Sequence, residues 1–327
     1  MTSSATAPAS VTLRPFREGD YERLLEIRNV ILPDYKASVA EFRHWDASWE
    51  ADKYFKLRLA AENDEGRVVG FGQTNHMPHQ FHADKYEINV QVDPASQRRG
   101  YGRALFERLL ETVRERGGTL VRAEAKESLP ESIAWLERRG FTEIQRYWES
   151  RLAVADFDFD AFAAAIPRVV EQGITFTTLA ELGVDKPGVL RAMYELDREI
   201  TRDVPLPDPV TDTSYESFVK GAVENPNFMP EAWFLAKEGE RLVGLSNMWK
   251  SQELADVYYQ GLTGVLREQR GRGIAMALKM HGMRFVRERG IREVRTWNNA
   301  RNRPMLRINE AMGFKKEPAW VEFSRSL

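Results

Sequence analysis

An α/β protein built from two copies of one domain is predicted by three observations. Residues 92–117 read VDPASQRRGYGRALFERLLETVRERG and residues 265–290 read VLREQRGRGIAMALKMHGMRFVRERG, with Gly100 and Gly273 standing 173 positions apart. The same offset separates Gly140-Phe141 from Gly313-Phe314, and landmarks held at one spacing without gaps mark an internal duplication. In each copy a valine-bearing segment runs into a turn of Gln, Arg and Gly and then into apolar residues three and four apart. These are Leu105, Leu109 and Val113 in the first, and Ile274, Leu278, Phe285 and Val286 in the second. A strand feeding a Gly-rich turn that opens a helix, found twice, predicts two α/β domains, each a mixed sheet flanked by helices.

In chain order, residues 1–10, MTSSATAPAS, are small and polar, without the basic and apolar regions of a secretory signal, and read as a disordered leader. The first domain spans residues 11–152. Residues 11–14 alternate as a strand, and Asp20 precedes Tyr21, Leu24, Leu25 and Ile27 at helical spacing. Residues 34–52 carry Phe42, Trp45 and Trp49 at the same spacing, which suits a core or the wall of an acceptor cleft. Asn63-Asp64-Glu65-Gly66 joins strands 55–61 and 68–74 as a hairpin. Three histidines lie three apart in residues 76–82. Pro78 breaks the helix that would converge them and no carboxylate stands at a zinc spacing, so the segment reads as a solvated loop, open to a role beside the acceptor cleft. Strand 86–92 leads into the Gly-rich turn, and strand 143–152 closes the copy.

Residues 153–172 form a connector whose Phe157, Phe159, Phe162 and Ile166 require it to pack on a domain. The second domain, residues 173–327, opens with strand 174–179 and a helix over 187–200. Val11 and Ile174 are only 163 apart, so about ten extra residues fall in or near the Pro-rich run 202–209, RDVPLPDP. A hairpin around Glu238-Gly239-Glu240, strand 258–265, strand 293–297 and a helix over 298–312, broken near Pro304, complete the copy.

Composition bounds the function. A chain of 327 residues suits two domains of about 150 residues, each with its own core. Hydrophobic content of 43% and charged content of 29% are those of a soluble globular protein. The net charge of −2 gives no bulk attraction to nucleic acid or to an anionic membrane. No run approaches the roughly 18 apolar residues of a membrane span. Zero cysteines exclude disulfides, thiolate metal sites and a cysteine nucleophile, and fit a cytoplasmic protein.

The Gly-rich turns read as anion sites: free N–H groups at a helix start, its positive dipole end, and small residues that let a phosphate approach backbone. Arg98, Arg99, Arg270 and Arg272 add charge. A dinucleotide fingerprint needs a third Gly where Leu105 and Met276 stand, and a P-loop needs Gly-Lys-Ser/Thr, so neither fits. What fits is Q/R-x-x-G-x-G/A: Gln97, Gly100 and Gly102, then Arg270, Gly273 and Ala275. This resembles the acyl-CoA pyrophosphate loop of the GNAT superfamily of N-acetyltransferases, over nearly the whole chain from Val11. The resemblance implies acetyl-CoA as acyl donor, bound at Val92, Gln97, Arg98, Arg99, Gly100, Tyr101 and Gly102 and at Val265, Arg270, Gly271, Arg272, Gly273, Ile274 and Ala275. It also implies that the strand before each loop splays from its neighbour to receive the pantetheine arm, and that the run around Asp203 closes over the acceptor. A rigid surface loop is an equally good reading of that run.

The run 296–314, TWNNARNRPMLRINEAMGF, is similar to the terminal motif of bacterial and tandem members of the superfamily, in which an Asn contacts the cofactor and a Tyr protonates the leaving thiolate. The Asn falls on Asn302 and the Tyr position on Asn309. An amide has no titrating proton to deliver, so Asn309 could orient a water or the sulfur but not act as general acid. The first copy has Leu129 and Leu136 at these positions. For proton removal near the start of the splayed strand the second copy offers Tyr258, Tyr259 and Glu253, and the first Tyr86 and Glu87. Tyr259 and Glu87 are the candidates. The resemblance thus implies acetyl-CoA dependent transfer to a small-molecule amine, with the C-terminal copy catalytic. A catalytic N-terminal copy and a CoA-binding scaffold without turnover are the alternatives.

Overall fold

In the computed structural model, which describes residues 11–327, the chain forms two compact units, one of residues 11–125, 131–144 and 322–327 and the other of 126–130 and 145–321. The expected leader, residues 1–10, lies outside the described residues.

The first unit runs β1 (Thr12–Pro15), α1 (Tyr21–Ile31), α2 (Val39–Ala47), β2 (Lys56–Glu62), β3 (Val68–Asn75), β4 (Lys85–Val92), α3 (Tyr101–Glu115), β5 (Leu120–Lys126), α4 (Pro130–Glu137) and the first residues of β6 (Thr142–Ala153). Strands β1 to β4 pair antiparallel in sequence order, and β4 pairs parallel with β5. The β2–β3 turn closes because Asn63 Oδ1 accepts from the N–H of Glu65 and Arg67, while Gly66 takes the left-handed φ of 72°. Leu105, Leu109 and Val113 are fully buried on one face of α3, as their spacing predicts. In the stretch 34–52 only Val39–Ala47 is α-helical, started by a Ser38/Glu41 capping box. Trp45 is 44% exposed, so it belongs to no core.

The second unit runs α5 (Ala165–Val170), β7 (Ile174–Thr178), α6 (Leu179–Leu182), α7 (Val189–Thr201), α8 (Tyr215–Phe218), β8 (Trp233–Glu238), β9 (Arg241–Lys250), β10 (Val257–Val265), α9 (Ile274–Glu288), β11 (Glu293–Asn299), α10 (Arg303–Ala311), β12 (Lys315–Lys316) and the first residues of β13 (Trp320–Ser326). Strands β7 to β10 pair antiparallel, β10 pairs parallel with β11, and β11 pairs antiparallel with β6. The mixed sheet of the first unit therefore recurs. The aromatics of residues 153–172 pack in this unit's core: Phe157 is buried and stacked on Phe162, and Phe159 lies against the same cluster. One expectation needs correction. Asn298 and Asn299 still belong to β11, and α10 starts only at Arg303, with Pro304 in its first turn. Proline there removes an N–H that has no intrahelical partner anyway, so it begins the helix and does not break it.

Beyond the parallel pair, the first unit holds Glu322–Ser326 beside β5, and the second holds Gln145–Ala153 beside β11. Glu149 and Glu322 stand at the repeat offset of 173.

Close packing at one glycine and slack at another give a stability test. A Cβ on Gly118 would lie 2.9 Å from the Val113 carbonyl oxygen and 3.1 Å from the Tyr86 ring, and closer still to a Val113 methyl. Gly118→Ala should therefore destabilise by about 1–3 kcal/mol. A Cβ on Gly102 meets nothing nearer than 3.5 Å, and Ala275 already stands at the matching position. Gly102→Ala should leave the denaturation midpoint within about 0.5 kcal/mol of the parent, as an ordinary surface change does.

Candidate active site

The two Gly-rich turns share their construction. Gly100 and Gly273 are left-handed helix N-caps with φ of 99° and 83°, and two residues earlier Arg98 and Gly271 also take positive φ, 64° and 79°. Alternating left-handed residues turn successive N–H groups toward one concave point, which suits an anion. The first bonds of the helix ladders run from Ala104 N–H to the Gly100 carbonyl and from Ala277 N–H to the Gly273 carbonyl. The N–H groups of Tyr101, Gly102 and Arg103, and of Ile274, Ala275 and Met276, precede that ladder. Gln97 Nε2 donates to the Val92 carbonyl, and Arg270 Nε donates to the Val265 carbonyl, so the turn is tied to its strand by the same bond twice. A diphosphate fits both cradles. The arginines are arranged differently. Arg98 pairs with Glu131 in the open and Arg99 is exposed, whereas Arg272 donates to Glu238 and to the Gln172 carbonyl.

Above each turn, one strand parts from its parallel neighbour after three residue pairs. β4 pairs Lys85, Tyr86 and Glu87 with Leu120, Val121 and Arg122, and β10 pairs Val257, Tyr258 and Tyr259 with Glu293, Val294 and Arg295. Glu87 and Tyr259 thus occupy one position, the last pair before the gap, each opposite an arginine. They are 172 apart and not 173 because β10 carries an extra residue, a bulge between Gln260 and Thr263, while the β3–β4 register is unbroken. A bulge leaves backbone N–H groups outside the ladder beside the gap.

The faces beneath the two gaps differ in chemistry. In the first unit Glu87 is half-buried and accepts from Asn75 Nδ2, and burial raises its carboxyl pKa. Glu124 follows on β5, and Glu322 accepts from Arg122 at 3.1 Å. Glu124 is open to solvent yet crowded by protein, a position in a concavity. Burial first, then Glu87 and Glu322, push its carboxyl up to about 8. In the second unit the matching positions hold Trp249, Tyr259 and Trp297, with the Tyr259 and Trp297 rings 5.5 Å apart. Glu149, at the place of Glu322, is fully buried on Lys126 and Arg151. Glu253 is exposed in the turn before β10. His76 is spent on structure: Phe55 N–H donates to its Nδ1 and its Nε2 bonds the Ala83 carbonyl. Among the described residues no group of three or more acidic or histidine side chains is gathered for a metal.

Asn302 is the N-cap of α10, its Oδ1 accepting from Met305 N–H at 3.3 Å. Asn309 is 1% exposed. Its Nδ2 donates to Asn298 Oδ1 at 2.6 Å while its Oδ1 has no partner. The Leu129 and Leu136 positions offer the first gap no such group. Asp197 was missed by the sequence reading. Burial pushes its carboxyl up to about 6 on α7, and an acid on the apolar stripe of Met193, Leu196 and Ile200 was the available signal.

The raised carboxyl of Glu124 has a signed consequence. Between the ordinary 4.5 and about 8 the native state keeps a proton that the unfolded chain has lost, so this group's contribution to stability declines as pH rises through that window. Glu124→Gln should raise the melting temperature at pH 9 and leave it unchanged at pH 4, and equal shifts at both would contradict the assignment.

Comparison with known proteins agrees with this arrangement. The Acetyltransferase (GNAT) family profile matches residues 22–141 and again 190–314. A mycothiol acetyltransferase of Thermomonospora curvata is 27% identical over 257 residues, 77% of each chain. A tandem GNAT protein from the clavulanic acid biosynthesis pathway superposes with a TM-score of 0.77 at 21% identity, covering 97% of this chain and 98% of its own. A GCN5-related N-acetyltransferase from Sphaerobacter thermophilus does so at 0.65, with 20% identity and coverage of 97% and 95%. With the profile matched twice over well more than half of its length, this chain belongs to the GNAT acetyltransferase family and carries two tandem domains of that fold.

Proposed function

We propose that the protein transfers an acetyl group from acetyl-CoA to a small-molecule amine, and that the second unit performs the transfer. The observation that carries this reading is the bulge of β10 at the gap, which the first unit lacks. Acetyl-CoA supplies a thioester. The cradle at Gly271 to Ala275 would hold its diphosphate, and Val265 and Arg270 fix that cradle to β10. N–H groups freed by the bulge would meet the charge developing on the carbonyl oxygen, where fixed donors in a dry site act most strongly. The amine nitrogen forms its bond to the carbonyl carbon as the carbon–sulfur bond breaks, and the electron pair leaves with sulfur. Asn302 Nδ2 and the Asn309 amide would serve the leaving thiol. The amine's proton would pass to Tyr259 or to Asp197, whose carboxyl burial pushes up to about 6. The relatives are named mycothiol acetyltransferases, and the acceptor class proposed for this chain is a small amine.

The Pro-rich run bears on donor binding. Asp203 accepts from Arg267 Nε at 2.9 Å and also bonds Arg270 on the cradle. The bonds from Arg267 and then Arg270 hold its carboxyl down at about 2. A phosphate must share Arg270 with it. The pair is complete above the ordinary 3.8 and is lost only as pH falls through about 2, so it persists at every working pH. Asp203→Asn should tighten CoA binding by up to about fivefold at low salt, the range of an exposed pair, and less at high salt. Calorimetric titration checks this, and weaker binding would mean that Asp203 serves to order the loop.

Glutamate at a cradle glycine sets bulk and negative charge against a diphosphate and is strained at positive φ. Gly273→Glu should abolish amine-dependent thiol release while Gly100→Glu leaves it running. The reverse pattern would move the chemistry to the first unit and to Glu87.

A further inference from the structure

A lysine on α9 is buried where the first unit keeps an aromatic core. Lys279 is 1% exposed, and among the described residues its Nζ has no hydrogen bond or ion pair; it lies 5.3 Å from the centre of the Phe314 ring. Phe106 stands at the repeat offset of 173 and packs on Trp135 and Phe141, with ring centres 5.1 and 6.1 Å away. A buried ammonium without a partner is costly, and burial alone lowers its pKa, to about 7. An apolar side chain of similar volume would fill the place without that cost. The charged side chains of the neighbouring segments, Arg303, Arg307 and Glu310 on α10, Lys315 and Lys316 on β12, and Asp156, are exposed, and none contributes to the shift. On α9 itself His281 faces Phe176 and Phe234 instead.

The residues around it show the same replacement. The Tyr258 ring lies 6.4 Å from Phe285 of α9, and Tyr258 pairs with Val294. Alternation therefore puts Thr296 and Asn298 of β11 on the α9 face, with Glu293 and Arg295 on the other. At the offset of 173 the first unit has Ala123, Ala125, Leu136 and Phe106 where the second has Thr296, Asn298, Asn309 and Lys279. The four apolar residues are all buried. The four polar ones satisfy one another only in part. The Thr296 hydroxyl donates to the Gln260 carbonyl across the parting strands, and Asn309 Nδ2 donates to Asn298 Oδ1, but Asn309 Oδ1 has no partner. Phe314 N–H donates to the Asn309 carbonyl, so the ring beside Nζ is fixed to the last turn of α10. Ala275 of the cradle stands one helical turn before Lys279 on the same side of α9. A donor with its diphosphate on the cradle and its arm in the gap thus runs along the side of α9 that carries this lysine.

We propose that Lys279 is the catalytic acid of the second unit, giving its proton to the sulfur of CoA as the carbon–sulfur bond of the thioester breaks. This rests on the transfer reading above. The bonding pair stays with sulfur, the Nζ proton forms the S–H bond, and the neutral lysine regains a proton from solvent; the proton lost by the amine goes to its own acceptor. Asn309 cannot supply the proton, since an amide has none to titrate, but its unpartnered Oδ1 is an acceptor that can steady the ammonium. The test uses the full chain, with thiol release from acetyl-CoA at saturating tryptamine, spermidine or kanamycin, acetyl-CoA affinity by calorimetry and stability by melting. Lys279→Met removes a buried amine, so it should melt higher than the parent. It should bind acetyl-CoA within about twofold of the parent and lose about 100- to 10,000-fold in kcat, the range of general-acid catalysis. Lys279→Arg carries the charge but does not give up its proton, and should be as slow. An acid acts only while protonated, so the parent's kcat should fall as pH rises through the lysine's pKa, and Lys279→Met should lose that fall. A parent kcat that stays level from about pH 6 to 9 would overturn the inference even if neither variant folds. A fast Lys279→Arg would make charge the requirement, and a loss confined to acetyl-CoA affinity would make Lys279 a donor contact; either overturns it. If the parent releases thiol with none of the amines, the transfer reading falls and takes this one with it; if the parent turns over and Lys279→Met matches it, only this inference falls.

Discussion

Everything in each unit depends on one backbone constraint: a parallel strand pair that stops after three residues and then parts. Backbone N–H and C=O groups away from water must find partners, and a strand that leaves its neighbour inside a domain gives up a ladder of them. β4 continues from Glu87 to Val92, and β10 from Tyr259 to Val265, with nothing of β5 or β11 registered against them. Such a gap persists only because the strands are held elsewhere. The other edge of β4 is paired to β3 without a break and that of β10 to β9 on both sides of the bulge, and their ends are tied to the helix turns by Gln97 and Arg270. An extended ligand with amide groups is the natural filler of such a gap, and the cradle at its lower end fixes where the charged part of that ligand must lie.

The duplication kept this frame and changed the surface beneath it. The cradle, the parting pair and the arginines Arg122 and Arg295 recur at equivalent positions, while Asn75, Glu87 and Glu124 give way to Trp249, Tyr259 and Trp297. Burial, with the charges of Glu87 and Glu322 added to it, is why Glu124 holds its proton to about 8. The three aromatics offer π faces that suit apolar or cationic groups. The two units thus set one kind of cradle beside two faces of unlike chemistry.

The frame was legible in the sequence because it is written in local signals. Glycines at left-handed turns, Asn-Asp-Glu-Gly at the hairpin and apolar residues at helical spacing each act within a few positions, and all were found in place. What was illegible depends on register. The bulge is one residue in β10, and it alone makes Tyr259 the counterpart of Glu87, whereas counting at the offset of 173 would name Gln260. The resemblance makes Asn302 a cofactor contact, and the fold uses its oxygen as the N-cap of α10. The strand 143–152 reads as the close of the first copy, yet Glu149 on it lies in the second unit and Glu322 in the first, and only strand pairing reveals that.

Proton affinity separates the two faces in function. A general base works best when its pKa lies near the operating pH, since it must be free to accept a proton and still hold one. Glu124 at about 8 is mostly protonated at neutrality, so at that pH the first face carries less negative charge than its composition suggests and gains it as pH rises. Asp197 at about 6 is mostly ionised at neutrality and is able to accept. The second unit thus combines the bulged strand with a carboxyl, Asp197, of lower proton affinity, while the first combines an unbroken strand with Glu124, which keeps its proton to about 8. The two halves keep one frame and one cradle, and they differ by one inserted residue and by the proton affinity of one carboxyl in each.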